Sequence, residues 1–77
     1  MSEYDLSKKE LGVLRIFRQF LMAPGLMLVI NSPQLKTYRT AINALIEKDL
    51  LVKEQFKGGY SLTDGGFEVM KIVATDS

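Results

Sequence analysis

Four polar side chains recur at steps of three and four near the middle of this chain. They are Lys36, Arg39, Thr40 and Asn43, and such spacing places them on one side of a helix. Arginine can pair bidentately with guanine and asparagine with adenine, whereas lysine and threonine suit phosphate oxygens. The spacing therefore predicts a helix face with the chemistry to contact a nucleic-acid duplex.

The charges around this face favour a phosphate contact over an ordinary solvated helix face. The net charge of the chain is only +1, but no Asp or Glu occurs between residues 11 and 46, where four of the Lys and Arg residues lie. A solvated face usually mixes Glu with Lys. The asymmetry predicts a local positive patch, with modest non-specific affinity for phosphates.

The composition narrows the classes of function. The 77 residues suffice for one domain with one modest core, and residues 1–6 and 75–77 are expected to fray. The chain has no cysteine and no histidine, so zinc and thiol sites lack their ligands. Without these ligands we expect no cofactor and no enzymatic activity. We also expect no membrane segment, since the longest apolar run is Leu26–Ile30. Absence of cysteine fits a cytoplasmic protein.

The first predicted helix runs from Lys8 to Met22 and begins with a capping box formed by Ser7 and Glu10. Its apolar residues cover more than half of its circumference, whereas a single core requires a stripe of about 100°. A second buried side is therefore expected. It lies either against the C-terminal helix of the same chain or against a second subunit.

The helix that carries the polar face is predicted to run from Pro33 to about Asp49. Ser32 is its predicted N-cap, with proline at the first helical position. The preceding run, Leu26–Ile30, fits either a short buried strand or one helical turn, and the pattern leaves both open.

The rest of the chain predicts a β-hairpin and a final helix. A strand over residues 50–56 leads into Lys57-Gly58-Gly59-Tyr60, where two glycines permit the positive φ values of a tight turn. The return strand is Tyr60–Leu62, and Thr63 with Asp64 caps the last helix. That helix carries Phe67, Met70 and Val73 at core spacing.

The order of helix, hairpin and helix resembles the second half of a winged helix-turn-helix domain. The resemblance lies in Tyr38–Leu51 and in the pattern formed by Tyr60, Leu62, Thr63 and Gly66. It is similar to bacterial regulators of the MarR and PadR type. It implies a small α+β winged helix with about three helices and a wing of two or three strands. It also implies a transcriptional regulator that binds double-stranded DNA. The wide apolar surface of helix 1 adds the expectation of a homodimer through helix 1 and the C-terminal helix.

The chain departs from the family pattern at two places. In this family a glycine usually follows the recognition helix, which is the helix that enters the DNA groove. The corresponding residue here is Asp49, at the end of the helix 33–49. The slot for a second helix covers only residues 23–31, so that helix is shortened or missing. The geometry with which the recognition helix enters a groove depends on this segment.

The resemblance implies that the helix 33–49 enters the major groove and that the wing 52–62 lies on the flanking backbone. Lysines in the wing also fit the role of edge residues that discourage strand pairing. The side chains implied to contact DNA are Gln34, Lys36, Thr37, Arg39, Thr40, Asn43, Lys53 and Lys57.

Two other functions fit the same pattern. One is a winged-helix module that binds another protein, which the near-neutral charge favours. The other is an accessory domain of a replication or recombination complex, which would bind DNA without sequence preference.

Overall fold

Three helices pack over one face of a three-stranded antiparallel sheet in residues 6–73, the part of the chain that the computed structural model describes. The predicted α+β class is confirmed. In chain order the elements are α1 (Lys8–Gln19), β1 (Met27–Val29), α2 (Ser32–Glu47), β2 (Leu51–Lys53), β3 (Gly59–Leu62) and α3 (Asp64–Val73). The expected fraying of residues 1–6 and 75–77 lies outside the described residues, except at Leu6, which is half-buried against the core.

Helix α1 begins at the predicted capping box. The Glu10 N–H donates to the Ser7 hydroxyl at 3.1 Å, and the Ser7 N–H donates to the Glu10 carboxylate at 2.7 Å. The prediction that this helix extends to Met22 was wrong. Leu21 turns the chain with a φ of 54°, and the Met22 N–H closes the helix on the Phe17 carbonyl at 3.0 Å.

The wide apolar surface of α1 is used within the chain. The helix packs against both α2 and α3, and Val13, Leu14 and Phe17 are completely buried. The expected second buried side is therefore supplied by the C-terminal helix.

A buried carboxylate joins the start of α1 to the end of α2. Glu10 is only 5% exposed, and its two oxygens accept from the Lys48 ammonium at 3.0 and 3.1 Å. Burial alone would raise the pKa of Glu10, but the hydrogen bond from the Ser7 N–H and the Lys48 charge outweigh it and lower this pKa below its ordinary value. The charged form is thus the one that stabilises the fold.

We expect the Glu10→Gln variant to lower the free energy of unfolding by about 1 kcal/mol at pH 7, because a neutral amide accepts weaker hydrogen bonds than a carboxylate. The contribution of a lowered pKa is complete above the ordinary Glu pKa of about 4.3 and is lost as the pH falls through the folded-state value. Urea unfolding at pH 7 and pH 3 measures both stabilities.

The matched control is Glu68→Gln, since Glu68 forms an exposed ion pair with Lys71 at 3.2 Å. Its effect should stay below about 0.5 kcal/mol. A Glu10→Gln deficit of equal size at both pH values would contradict the assignment.

The run Leu26–Ile30 contains strand β1, which decides between the two conformations that the sequence left open. Met27 pairs with Ser61 and Val29 with Gly59 in antiparallel register. Leu28 and Ile30 point into the core, whereas Met27 and Val29 are exposed on the outer face of the sheet. A strand and its flanking turns therefore occupy residues 23–31, the segment for which the sequence predicted a shortened or missing helix.

The start of α2 differs from the prediction by one residue. Asn31 is the N-cap, without a hydrogen bond from its side chain, so the prediction of Ser32 as N-cap was wrong and Pro33 is the second helical residue. The reason is a long-range contact. The Ile30 N–H donates to the Gly58 carbonyl at 2.9 Å, and the helix begins directly after this tie.

The end of α2 forms a Schellman motif around Asp49. The Asp49 N–H donates to the Ile46 carbonyl at 3.0 Å and the Leu50 N–H to the Leu45 carbonyl at 2.9 Å. Asp49 has a φ of 65°, so it takes the left-handed conformation that glycine adopts most readily. The predicted end at Asp49 lies two residues beyond the observed end at Glu47.

The Asp49→Gly variant should raise the free energy of unfolding by about 0.5–1 kcal/mol. Glycine adopts this φ without a steric cost, and the exchange also removes a carboxylate from the negative end of a helix. Asp49→Asn separates the two causes, because it removes the charge and keeps a side chain. Thermal unfolding followed by circular dichroism measures both variants, and a lower melting temperature for Asp49→Gly would contradict the argument.

The hairpin turn is longer than the predicted two-glycine turn. Strand β2 ends at Lys53, and the Gly59 N–H donates to the Phe56 carbonyl at 2.8 Å across a turn in which Gly58 has a φ of 79°. Gly59 instead begins β3, where an added Cβ would lie 2.5 Å from the Met27 sulfur. Gly58 has the positive φ that the turn requires, whereas the Met27 sulfur beside Gly59 is the end of a flexible, exposed side chain that can move aside.

Thr63 caps α3, as predicted, and ties it to the end of α2. Its hydroxyl accepts from the Gly66 N–H at 2.8 Å and donates to the Asp49 carbonyl at 2.7 Å.

None of the helices in residues 6–73 has the length and apolar character needed to cross a membrane. The core between helices and sheet contains Val13, Leu14, Phe17, Leu28, Ile30, Ala41, Ile42, Leu45, Leu51, Tyr60, Leu62, Val69 and Met70.

Candidate nucleic-acid interface

The outer face of α2 holds the polar side chains that the spacing placed together. The opposite face, with Ala41, Ile42 and Leu45, is buried and fixes the rotation of the helix about its axis. The side chains on the outer face are all exposed, and they are Lys36, Arg39, Thr40 and Asn43.

Two other predicted residues of this helix lie to the sides. Gln34 is exposed but lies roughly 160° around the axis from Lys36 at 100° per residue. The Thr37 hydroxyl donates to the Pro33 carbonyl at 3.0 Å, and the Thr37 carbonyl lies 3.5 Å from the Lys9 ammonium. While that first bond holds, the Thr37 hydroxyl cannot donate to a phosphate.

The hairpin turn adjoins the start of α2. The hydrogen bond from the Ile30 N–H to the Gly58 carbonyl joins the turn to the residue just before the N-cap. Lys57 is exposed in this turn, and Lys53 is exposed at the end of β2 with its ammonium 5.9 Å from the centre of the Tyr60 ring. The turn is therefore tied to the chain just before α2, and the exposed residues of the helix and of the turn make up the candidate surface.

Acidic groups lie at the margins of this surface. Glu47 is exposed at the far end of the outer face of α2, one helical turn beyond Asn43. Glu54 follows Lys53, but its carboxylate accepts a hydrogen bond from the Ser61 hydroxyl on the outer face of the sheet. The positive charge is consequently concentrated near the start of α2 and the turn.

Two features of this surface were missed by reasoning from sequence. The Asn31 side chain makes no capping bond, so the positive end of the α2 dipole faces the turn. Phe56 is 59% exposed in the turn between the two lysines. Its signal in the sequence is an aromatic residue inside an otherwise polar segment, Glu54 to Gly58.

A separate apolar groove of about 400 Å³ lies between the C-terminal end of α1 and α3. Its lining includes no residue of α2 or the turn. Phe20, Leu21 and Ile72 are exposed at these ends of the two helices. The groove is lined by Arg18, Leu21, Met22, Ala23, Phe67, Met70 and Lys71.

Comparison of the chain with protein-family models, with curated proteins and with solved structures found no match. A proposal for the function of this chain therefore rests on the residues and the geometry described above.

Proposed function

We propose that this chain is a winged-helix domain that binds double-stranded DNA and regulates transcription. In this proposal α2 lies in the major groove and the hairpin, with its turn at residues 55–58, contacts the flanking backbone. The element order supports it, because a helix followed by an antiparallel hairpin and a further helix is the second half of a winged helix. Strand β1 takes the place of the second helix.

The single observation that carries the proposal is the exposed polar face of α2, with the hairpin turn tied to the residue that precedes the helix. Lys36, Arg39 and Asn43 line an exposed helix face without an acid before Glu47, and Lys57 lies on the adjoining turn. A major groove about 12 Å wide admits one such helix. Arginine and asparagine on it supply base readers, and the lysines supply phosphate contacts.

Titration of labelled duplexes at several salt concentrations tests the proposal. If Lys36, Lys53 and Lys57 each neutralise a phosphate while Arg39 contacts a base, log Kobs should fall with log salt with a slope of about −2.7. Selection from a random duplex library should enrich one site. Binding with the same slope but without enrichment would support a non-specific accessory domain, and no binding at about 50 mM salt would reject DNA as the partner.

A second copy of the chain is the further partner in this proposal. The groove between α1 and α3 and the exposed Phe20, Leu21 and Ile72 supply an apolar surface on the two helices through which a homodimer is expected. Two copies would read two half-sites one helical turn apart. Sedimentation at micromolar concentration should show a dimer that Leu21→Asp converts to a monomer, and a monomeric wild-type chain on DNA would contradict it.

A protein-binding module is the alternative function, and one observation favours it. Met27, Val29 and Val52 are 42%, 50% and 43% exposed on the outer face of the sheet, where a duplex held by α2 would not use them. A cytoplasmic location belongs to both functions and rests on the cysteine-free composition.

A further inference from the structure

Phe56 lies exposed in the hairpin turn, whose backbone is held by hydrogen bonds. The Glu54 N–H donates to the Gly59 carbonyl at 2.9 Å and the Gly59 N–H to the Phe56 carbonyl at 2.8 Å. The Ile30 N–H then joins Gly58 to the start of α2. A ring that is 59% exposed is thus presented to solvent by a backbone that cannot fold it back easily.

Two lysines flank this ring in the sequence, and their ammonium groups can bind the phosphates of a polyanion. Lys57 follows it directly, and Lys53 lies on the same hairpin arm. The one nearby carboxylate, that of Glu54, is hydrogen-bonded to Ser61 on the outer face of the sheet. Exposed single apolar side chains are normal on protein surfaces. Phe56 differs in standing between two cations at the edge of the candidate interface.

We propose that Phe56 is a wedge that inserts between two stacked base pairs in the groove beside the α2 contact. The inference rests on the proposed binding of double-stranded DNA. Proteins that place apolar side chains in the minor groove unstack one base step and kink the duplex. The aromatic ring stacks on a base, and the lysines bind the adjacent phosphates. The hydrogen-bonded turn keeps the ring in place although the kinked duplex tends to straighten.

Single-tryptophan variants test the wedge, because the natural chain has no tryptophan. Phe56→Trp should lose fluorescence on addition of duplex, since an indole stacked on bases is quenched. The matched control is Leu26→Trp, whose parent residue is 51% exposed just before β1, at the end of that strand away from the turn. Its emission should stay unchanged in the same titration.

Affinity and DNA shape give two further readouts. Phe56→Ala should bind duplex about 5- to 100-fold more weakly, with an unchanged salt slope because no charge is lost. Leu26→Ala should change the affinity by less than about twofold. Energy transfer between dyes on the two duplex ends should report a bend with the wild type and a straighter duplex with Phe56→Ala.

Failure of the wedge is distinguishable from failure of the proposed function. If the wild type binds duplex while Phe56→Ala binds equally well and Phe56→Trp keeps its emission, the wedge is rejected and DNA binding stands. If the wild type binds no duplex, both are rejected. Melting temperatures within a few degrees of the wild type are expected for all four variants, since both positions are exposed.

Discussion

Replacement of Gly66 by alanine is expected to lower the free energy of unfolding by about 3 kcal/mol, the upper end of overpacking effects. Gly66 is the buried residue at which the first turn of α3 meets the end of α2. A Cβ at this position would overlap the Leu50 carbonyl oxygen and lie 2.8 Å from the Leu50 carbonyl carbon. A domain of this size has about 5–10 kcal/mol of stability in total, so the loss is large.

The overlap cannot be relieved by rotating a side chain, because both neighbours are backbone. The Leu50 carbonyl accepts from the Thr63 N–H at 3.2 Å, and Leu50 is the residue that closes the Schellman motif. Shifting it would disturb the end of α2 and the hydroxyl of Thr63, which bonds both Asp49 and Gly66. The strain would therefore spread into the connection between two helices.

The adjacent glycine is a matched control. A Cβ at Gly65 would lie 3.8 Å from the Thr63 hydroxyl oxygen and 4.0 Å from the Leu50 side chain, which are ordinary contacts. Gly65→Ala should therefore raise the free energy of unfolding by about 0.5–1 kcal/mol, since alanine is the better helix former. Urea unfolding followed by circular dichroism measures both variants. Effects of equal sign and size would show that α3 does not approach Leu50 so closely.

Arg39→Ala and Asn43→Ala should each weaken binding to the selected DNA site by about 1–3 kcal/mol, or roughly 5- to 150-fold. Both side chains are exposed on the α2 face whose rotation is fixed by the buried Ala41, Ile42 and Leu45. Losing a bidentate base contact leaves a base edge unpaired in the groove. Specificity should therefore relax at one position of the site for each variant.

The control for charge is Arg15→Ala, because Arg15 is equally exposed but lies on α1. It removes the same charge as Arg39→Ala and should change binding by less than about 0.5 kcal/mol. Lys57→Ala should weaken binding to all duplexes alike and reduce the salt slope by about one. Equal losses for Arg15→Ala and Arg39→Ala would place the DNA contact somewhere other than on α2.

The elements with strong local signals could be predicted from the sequence. The recurrence of apolar and of polar residues at steps of three and four predicted α2 and the face it exposes. The Ser7–Glu10 and Thr63 caps also lie where the sequence placed them. Leu26–Ile30 could not be assigned, because five apolar residues fit both a strand and a helical turn. Its partner, Ser61, lies in a distant segment that no local pattern identifies.

The sequence predicted that the polar side chains of α2 share one face of the helix. It did not predict that the hairpin turn lies beside the start of this helix. The spacing of Lys36, Arg39 and Asn43 sufficed to place them together. The contact between the turn and the start of α2 depends on the strand order β1-β3-β2, which brings Gly58 to Ile30. Phe56 was counted as the last residue of a strand, so its exposure in the turn was not anticipated.

The central position of β3 in the sheet means that pairing of β1 with β3 also positions the hairpin turn beside the start of α2. Strand β1 precedes α2 and β3 follows it, so their ladder closes a loop that contains all of α2 and β2. Closing such a loop costs chain entropy before its contacts stabilise it, which makes the step slow and cooperative. A partly unfolded molecule that loses the ladder loses the tie between Ile30 and Gly58 as well. The chain therefore offers the helix face and the hairpin turn together or offers neither.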